Sequence, residues 1–140
     1  MPQVRDSFMN SQGSLRIMLV RSKPFDEVEQ YLEATGGEVV TLDDGESAII
    51  EAQRARFDMA VLVSTGKGMD LAETVFNLRD VSPSTPIVII ADGYGREADV
   101  IARTSSNTRA LSVDGLAAYL GVSRAIVRSQ FGRFGRKYKV

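Results

Sequence analysis

The stretch Phe57-Asp58-Met59-Ala60-Val61-Leu62-Val63 decides the fold. From Met59 to Val63 every residue is apolar, with no alternation between polar and apolar positions. A strand with one wet face alternates, whereas a strand apolar throughout is covered on both faces, as at the centre of a parallel sheet flanked by helices. Outward from this segment, residues 15–20, 38–42, 86–91 and 108–112 read as four further short strands, separated by stretches with helical spacing. Phe25, Val28, Tyr31 and Leu32 mark a first helix over 25–35, closed by Gly36-Gly37, because glycine readily takes the left-handed cap conformation. A second helix starts near Glu46, with Ala48, Ile49, Ala52 and Ala55 as its buried stripe. The third spans about 69–81 with Leu71, Val75, Phe76 and Leu78 inward, the fourth covers about 97–104, and the last begins near Asp114.

Five strands alternating with helices specify an α/β class, a flavodoxin-like (βα)5 doubly wound sheet of five parallel strands. Right-handed crossovers leave few topologies, and the order 2-1-3-4-5 is the natural one. A site on such a sheet lies at the carboxyl ends of strands one, three and four, that is at Arg21–Pro24, Val63–Gly68 and Ala91–Gly95. The expected organisation is a flexible N-terminal arm over 1–14, the domain over 15–130 and a basic C-terminal tail over 131–140.

At 140 residues the chain has the length of one domain and can bury a core. Its 44% hydrophobic and 25% charged content is ordinary for a globular protein. The longest apolar runs, such as Ile87 to Ala91, are far too short to span a bilayer, so no membrane partner is expected. Met1 to Ser14 lacks the layout of a signal peptide, and a cytoplasmic location is expected. With neither Cys nor His, the sequence excludes disulfides, thiolate or imidazole metal ligands, an imidazole base and phosphohistidine. Ser22, Ser64 and Thr65 therefore have no activator for nucleophilic catalysis, and the chain reads as a non-enzyme without metal or cofactor. Charge is lopsided: residues 1–114 hold all 18 acids and 11 of the 17 basic residues, a net −7, while 115–140 hold six basic residues and no acid, a net +6.

Several segments together resemble the receiver domain of two-component response regulators. Asp44-Gly45-Glu46-Ser47-Ala48 is similar to the family's "DGxxA" opening of the second helix, and Phe57–Leu62 to its "xDLVLLD" third strand. Gly68-Met69-Asp70 is similar to the "PGMDG" turn, with Lys67 where proline is usual, and Pro86–Ile90 to the "TPVIxLT" fourth strand. The likeness covers about Leu15 to Leu120. The resemblance also implies a chemistry that these residues lack. The family holds Mg²⁺ on acids after strand one, because a hard dication takes carboxylate oxygens; Arg21 and Ser22 stand there. Its phosphoacceptor aspartate falls on Val63, its hydroxyl after strand four on Ala91, and its strand-five lysine on Ser112 or Val113. The resemblance implies a degenerate pseudo-receiver, an atypical response-regulator module outside the aspartyl phosphorelay.

Other constellations read as structure. Asp44 caps helix two and Asp70 starts helix three, where carboxylates complement the helix dipole, so neither they nor Asp43 form a displaced acidic site. Gly66-Lys67-Gly68 lacks the Walker A spacing, and Gly93-Tyr94-Gly95 is loop; with Arg21 and Lys67 near, a small anionic ligand is the one occupant these loops suggest. Residues 116–128 resemble a helix-turn-helix, with Gly121 at the turn and Ser123 capping a helix that carries Arg124 and Arg128. The expected function is protein–protein signalling independent of aspartyl phosphorylation, with a protein partner and a homodimer formed through the helix-four to helix-five face. The alternative is a DNA-binding regulator using the basic C-terminus. Candidate partner or nucleic-acid contacts are Arg96, Tyr119, Arg124, Arg128, Arg133, Arg136, Lys137 and Lys139.

Overall fold

The computed structural model describes residues 15–63, 70–91 and 95–122. Strands β1 (Arg16–Arg21), β2 (Glu38–Leu42), β3 (Met59–Val63), β4 (Ile87–Ile90) and β5 (Thr108–Leu111) alternate with helices α1 (Asp26–Glu33), α2 (Gly45–Arg54), α3 (Leu71–Val81), α4 (Gly95–Thr104) and α5 (Val113–Leu120). All pairings are parallel, and the sheet order is β2-β1-β3-β4-β5, as the hydrophobic pattern predicts.

The period-2 geometry of β3 divides the core. Met59, Val61 and Val63 face Val28, Tyr31 and Leu32 of α1 and Leu116 and Ala117 of α5. Ala60 and Leu62 face Ala48 of α2, Leu71, Val75 and Leu78 of α3, and Ala98 and Ile101 of α4. Every β3 residue is buried, which accounts for its unbroken apolar run. One residue departs from the expected inward set. Phe76 is 48% exposed, because Leu71, Val75 and Leu78 fill the stripe facing the sheet and Phe76 lies about 100° round the helix from Val75. Thr74, rather than Phe76, joins the buried face.

The helix ends follow local chemistry. Asp44 accepts the Ser47 N–H at 2.8 Å and Asp70 accepts the Glu73 N–H at 3.0 Å, each filling an orphan donor of the first turn. Gly36 takes φ +82° just past α1, and Gly121 ends α5 in the left-handed conformation at φ +73°. Among the described residues the last helix therefore stops at Leu120. Val122 donates its N–H to the Ala117 carbonyl at 3.1 Å and packs against the α1/α5 cluster.

At the amino ends of β4 and β5, Arg79 ties several segments together. Its guanidinium donates to the carbonyls of Pro83 (2.9 Å), Thr85 (2.7 Å) and Asn107 (3.1 Å) and to Thr108 Oγ1 (3.0 Å). Burial pulls its pKa below the usual arginine value. The turn also carries a short Ser82–Thr85 hydroxyl contact.

Candidate functional site

The parallel register brings the ends of the central strands together: Arg21 lies opposite Val63, and Val63 opposite Ile90, one residue before Ala91. Arg21 is the last residue of β1. Its Nε donates to Glu29 Oε2 at 3.2 Å and its Nη1 to Asp43 Oδ1 at 3.3 Å, with the arginine side chain 18% exposed. Glu29 also accepts the Phe25 N–H at 3.2 Å, so one carboxylate joins the end of β1 to the start of α1. Asp43 lies one residue past the neighbouring β2, because Val20 pairs with Leu42 and the next step sets Asp43 beside Arg21.

Val63 is buried (3% exposed) in the α1/α5 cluster. Ala91 is half-buried against the opposite cluster. Ser112 is the α5 N-cap and accepts the Gly115 N–H at 3.0 Å, while Val113 begins that helix and is buried. Ser22 is exposed at the rim. The donor set does not suit a hard dication. A guanidinium already stands between the two carboxylates at the end of β1, and no group of three or more acids able to hold a metal occurs among the described residues.

Asp44 stays with the helix rather than the site, its carboxyl held below its usual 3.8 chiefly by the Ser47 backbone hydrogen bond. Sequence reasoning missed Glu29 and Asp43 as the partners of Arg21. The signal that reveals them is a cation at a strand end flanked by acids one step past the neighbouring strand and in the first turn of the next helix. Residues Ser64, Thr65, Gly66, Lys67, Gly68, Gly93 and Tyr94 lie outside the described residues.

A second surface forms where α4, β5 and α5 meet. Val100 is 49% and Tyr119 39% exposed, Arg96 is exposed, and the Arg109 guanidinium lies 5.0 Å from the Tyr119 ring centroid, within cation–π range. Arg109 was not among the expected contacts. Ser123, Arg124, Arg128, Arg133, Arg136, Lys137 and Lys139, the 1–14 arm and the 131–140 tail fall outside the described residues.

No protein-family model matches the chain, and no curated protein matches its sequence. Solved structures do. Chemotaxis protein CheY4 of Vibrio cholerae superposes with a TM-score of 0.64 at 24% identity, over 76% of this chain and 96% of that one. The signal receiver domain of an HD domain-containing protein from Pseudomonas fluorescens Pf-5 also gives 0.64, at 16% identity over 90% and 93%. The chain has the receiver-domain fold. The inactive regulatory domain of the iron-transport regulator RitR, at 0.59 and 19% identity over 83% and 97%, shares it. Among the described residues no helix of this receiver fold is long and apolar enough to cross a membrane.

Proposed function

We propose that the chain is a pseudo-receiver, a non-catalytic signalling module that acts through protein contacts without aspartyl phosphorylation. The observation that carries this reading is Arg21, whose guanidinium, paired with Glu29 and Asp43, supplies a built-in cation at the strand end where phosphorylated receivers gather a metal. Val63 supports it, since a buried hydrocarbon at the acceptor position offers no nucleophile. Ala91 has no hydroxyl, and the Ser112 oxygen is taken up by the α5 cap. Without a phosphoryl group to bind, the balance between conformers is set by whatever partner prefers one of them. The surface offered is the α4–β5–α5 face with Arg96, Val100 and Tyr119, which is also the proposed homodimer contact. The domain is taken as 15–130, with 1–14 and the basic 131–140 flanking it. Adding beryllofluoride or acetyl phosphate with Mg²⁺ to isotope-labelled protein is expected to leave the Arg21 and Val63 amide signals in place. Saturable shifts there would overturn the reading.

A second reading, DNA binding, is favoured by Gly121, whose left-handed turn after α5 is what a helix-turn-helix requires before Ser123, Arg124 and Arg128. Its signature is an affinity that falls with salt at a log–log slope of about −0.9 per neutralised phosphate. Absence of binding at low salt excludes it.

A further inference from the structure

We propose that the groove between the amino-terminal halves of α2 and α3 receives the basic segment 123–140 of a second copy of this chain. The groove holds about 600 Å³ and combines two kinds of wall. Ile49 and Ile50 supply an apolar side, and Ile50 is 47% exposed, one of the few large aliphatic side chains left to solvent among the described residues. Asp44, Glu46, Asp70 and Glu73 supply carboxylates, and among the described residues no basic side chain lines it. Asp44 and Asp70 each accept a first-turn N–H of their own helix. Glu46 and Glu73 are exposed at the rim with no such role.

The occupant is chosen by complementarity in both respects. Segment 123–140 carries Arg124, Arg128, Arg133, Arg136, Lys137 and Lys139, interleaved with Ile126, Val127, Phe131 and Phe134. Apolar side chains of that segment match Ile50, while its cations match the carboxylates of Asp44, Glu46, Asp70 and Glu73. Opposite potentials of this kind steer association and set its register.

The geometry favours a second copy over the same chain. Val122, the last described residue, packs on the α1/α5 cluster, whereas the groove belongs to the opposite face of the sheet. Helix α5 also runs back from the carboxyl ends of the strands, near which the first turns of α2 and α3 lie. Rounding two helix–sheet layers and the height of the sheet takes a path of roughly 40 Å, about 12 extended residues. That path would use up residues 123–134, and with them Ile126, Val127, Phe131 and Phe134, the apolar side chains matched to Ile50. A neighbouring copy meets no such limit, and reciprocal exchange closes a two-fold dimer. The contact does not depend on whether the acceptor pocket is active.

The chain has no cysteine, so Val140→Cys introduces a unique thiol for a nitroxide spin label. Full-length spin-labelled chain without isotope is mixed with full-length ¹⁵N-labelled chain without spin label. The expected result is paramagnetic loss of the Glu46, Ile50 and Glu73 amide signals, reversed by about 0.5 M NaCl, where charges are screened within about 4 Å. It is also reversed in Glu46→Gln/Glu73→Gln, which retains both aspartate caps and whose own spectrum reports folding. Broadening seen only when spin label and isotope share a chain, broadening confined to α4 and α5, or none at all would each overturn the proposal.

Discussion

Replacing Arg21 by aspartate converts an attractive cluster into a repulsive one, and its size follows from exposure. Glu29 keeps 28% of its side-chain exposure and Asp43 keeps 83%. The Asp43 pair is largely screened and contributes at most about 1 kcal/mol. The Glu29 bond is the sheltered one; taken at the low end for a charged hydrogen bond because solvent still reaches it, it is worth about 1.5 kcal/mol. Introduced like-charge contacts near 4 Å in a watery setting add about 1 kcal/mol of repulsion. The variant should therefore lose about 3 kcal/mol, or roughly 9 °C in Tm for a domain of this size. Three converging carboxylates should in turn take up a divalent cation with a Kd on the order of 1 mM. At about 10 mM Ca²⁺ that returns roughly 1.4 kcal/mol, near 4 °C, to the variant. Thermal unfolding followed by circular dichroism, in chelator, in Ca²⁺ and in NaCl of matched ionic strength, reads all three quantities. A loss under 1 °C with no gain specific to Ca²⁺ would refute the role given to Arg21.

Arg79→Met should destabilise by roughly 3 kcal/mol in urea unfolding, because the part-buried Thr85 carbonyl and Thr108 hydroxyl lose a charged donor; Arg79→Lys should recover less than half, since an ammonium cannot fork. Gly45→Ala sets a Cβ into the Thr74 hydroxyl and should cost about 1–3 kcal/mol, most of it relieved when Thr74→Ala is added; additive losses in the pair would refute the contact. The Asp44 cap acts through its ionised form, whose pKa is held below the usual 3.8. Its contribution is complete above that pH and lost as pH falls through the folded value, so Ser47 amide protection should drop there, and Asp44→Asn should remove the pH dependence.

Much of the fold was legible because its elements obey local rules. The apolar run of β3 requires cover on both faces, and the strand boundaries inferred from sequence fall within a residue of those found. Asp44 and Asp70 cap the helices their positions suggested. Phe76 was misread because helical spacing alone admits two phases, and only packing against the sheet selects the one built on Val75 and Leu78. The Arg21 cluster was half legible. The substitution stands out in sequence, but Glu29 and Asp43 reach it through the strand register and the entry angle of α1, both tertiary facts. Arg79 gave no sequence signal at all, since its acceptors are backbone carbonyls that any residue provides.

The Arg79 knot also anchors one end of the α4–β5–α5 surface. It joins the end of α3 to the turn before β4 and to the entry of β5, all at one edge of the sheet. Beyond that point β5 is held by backbone alone, through the β4 ladder from Thr108 to Leu111 and the Ala91 N–H donated to the Leu111 carbonyl at 2.8 Å, so its two ends are fixed by different chemistry. Arg109 and Tyr119 sit near it, the arginine one residue beyond Thr108 and the tyrosine in the last turn of α5. A partner covering Tyr119 would therefore meet the end of β5 that a side-chain cation holds, rather than the end held by backbone hydrogen bonds alone.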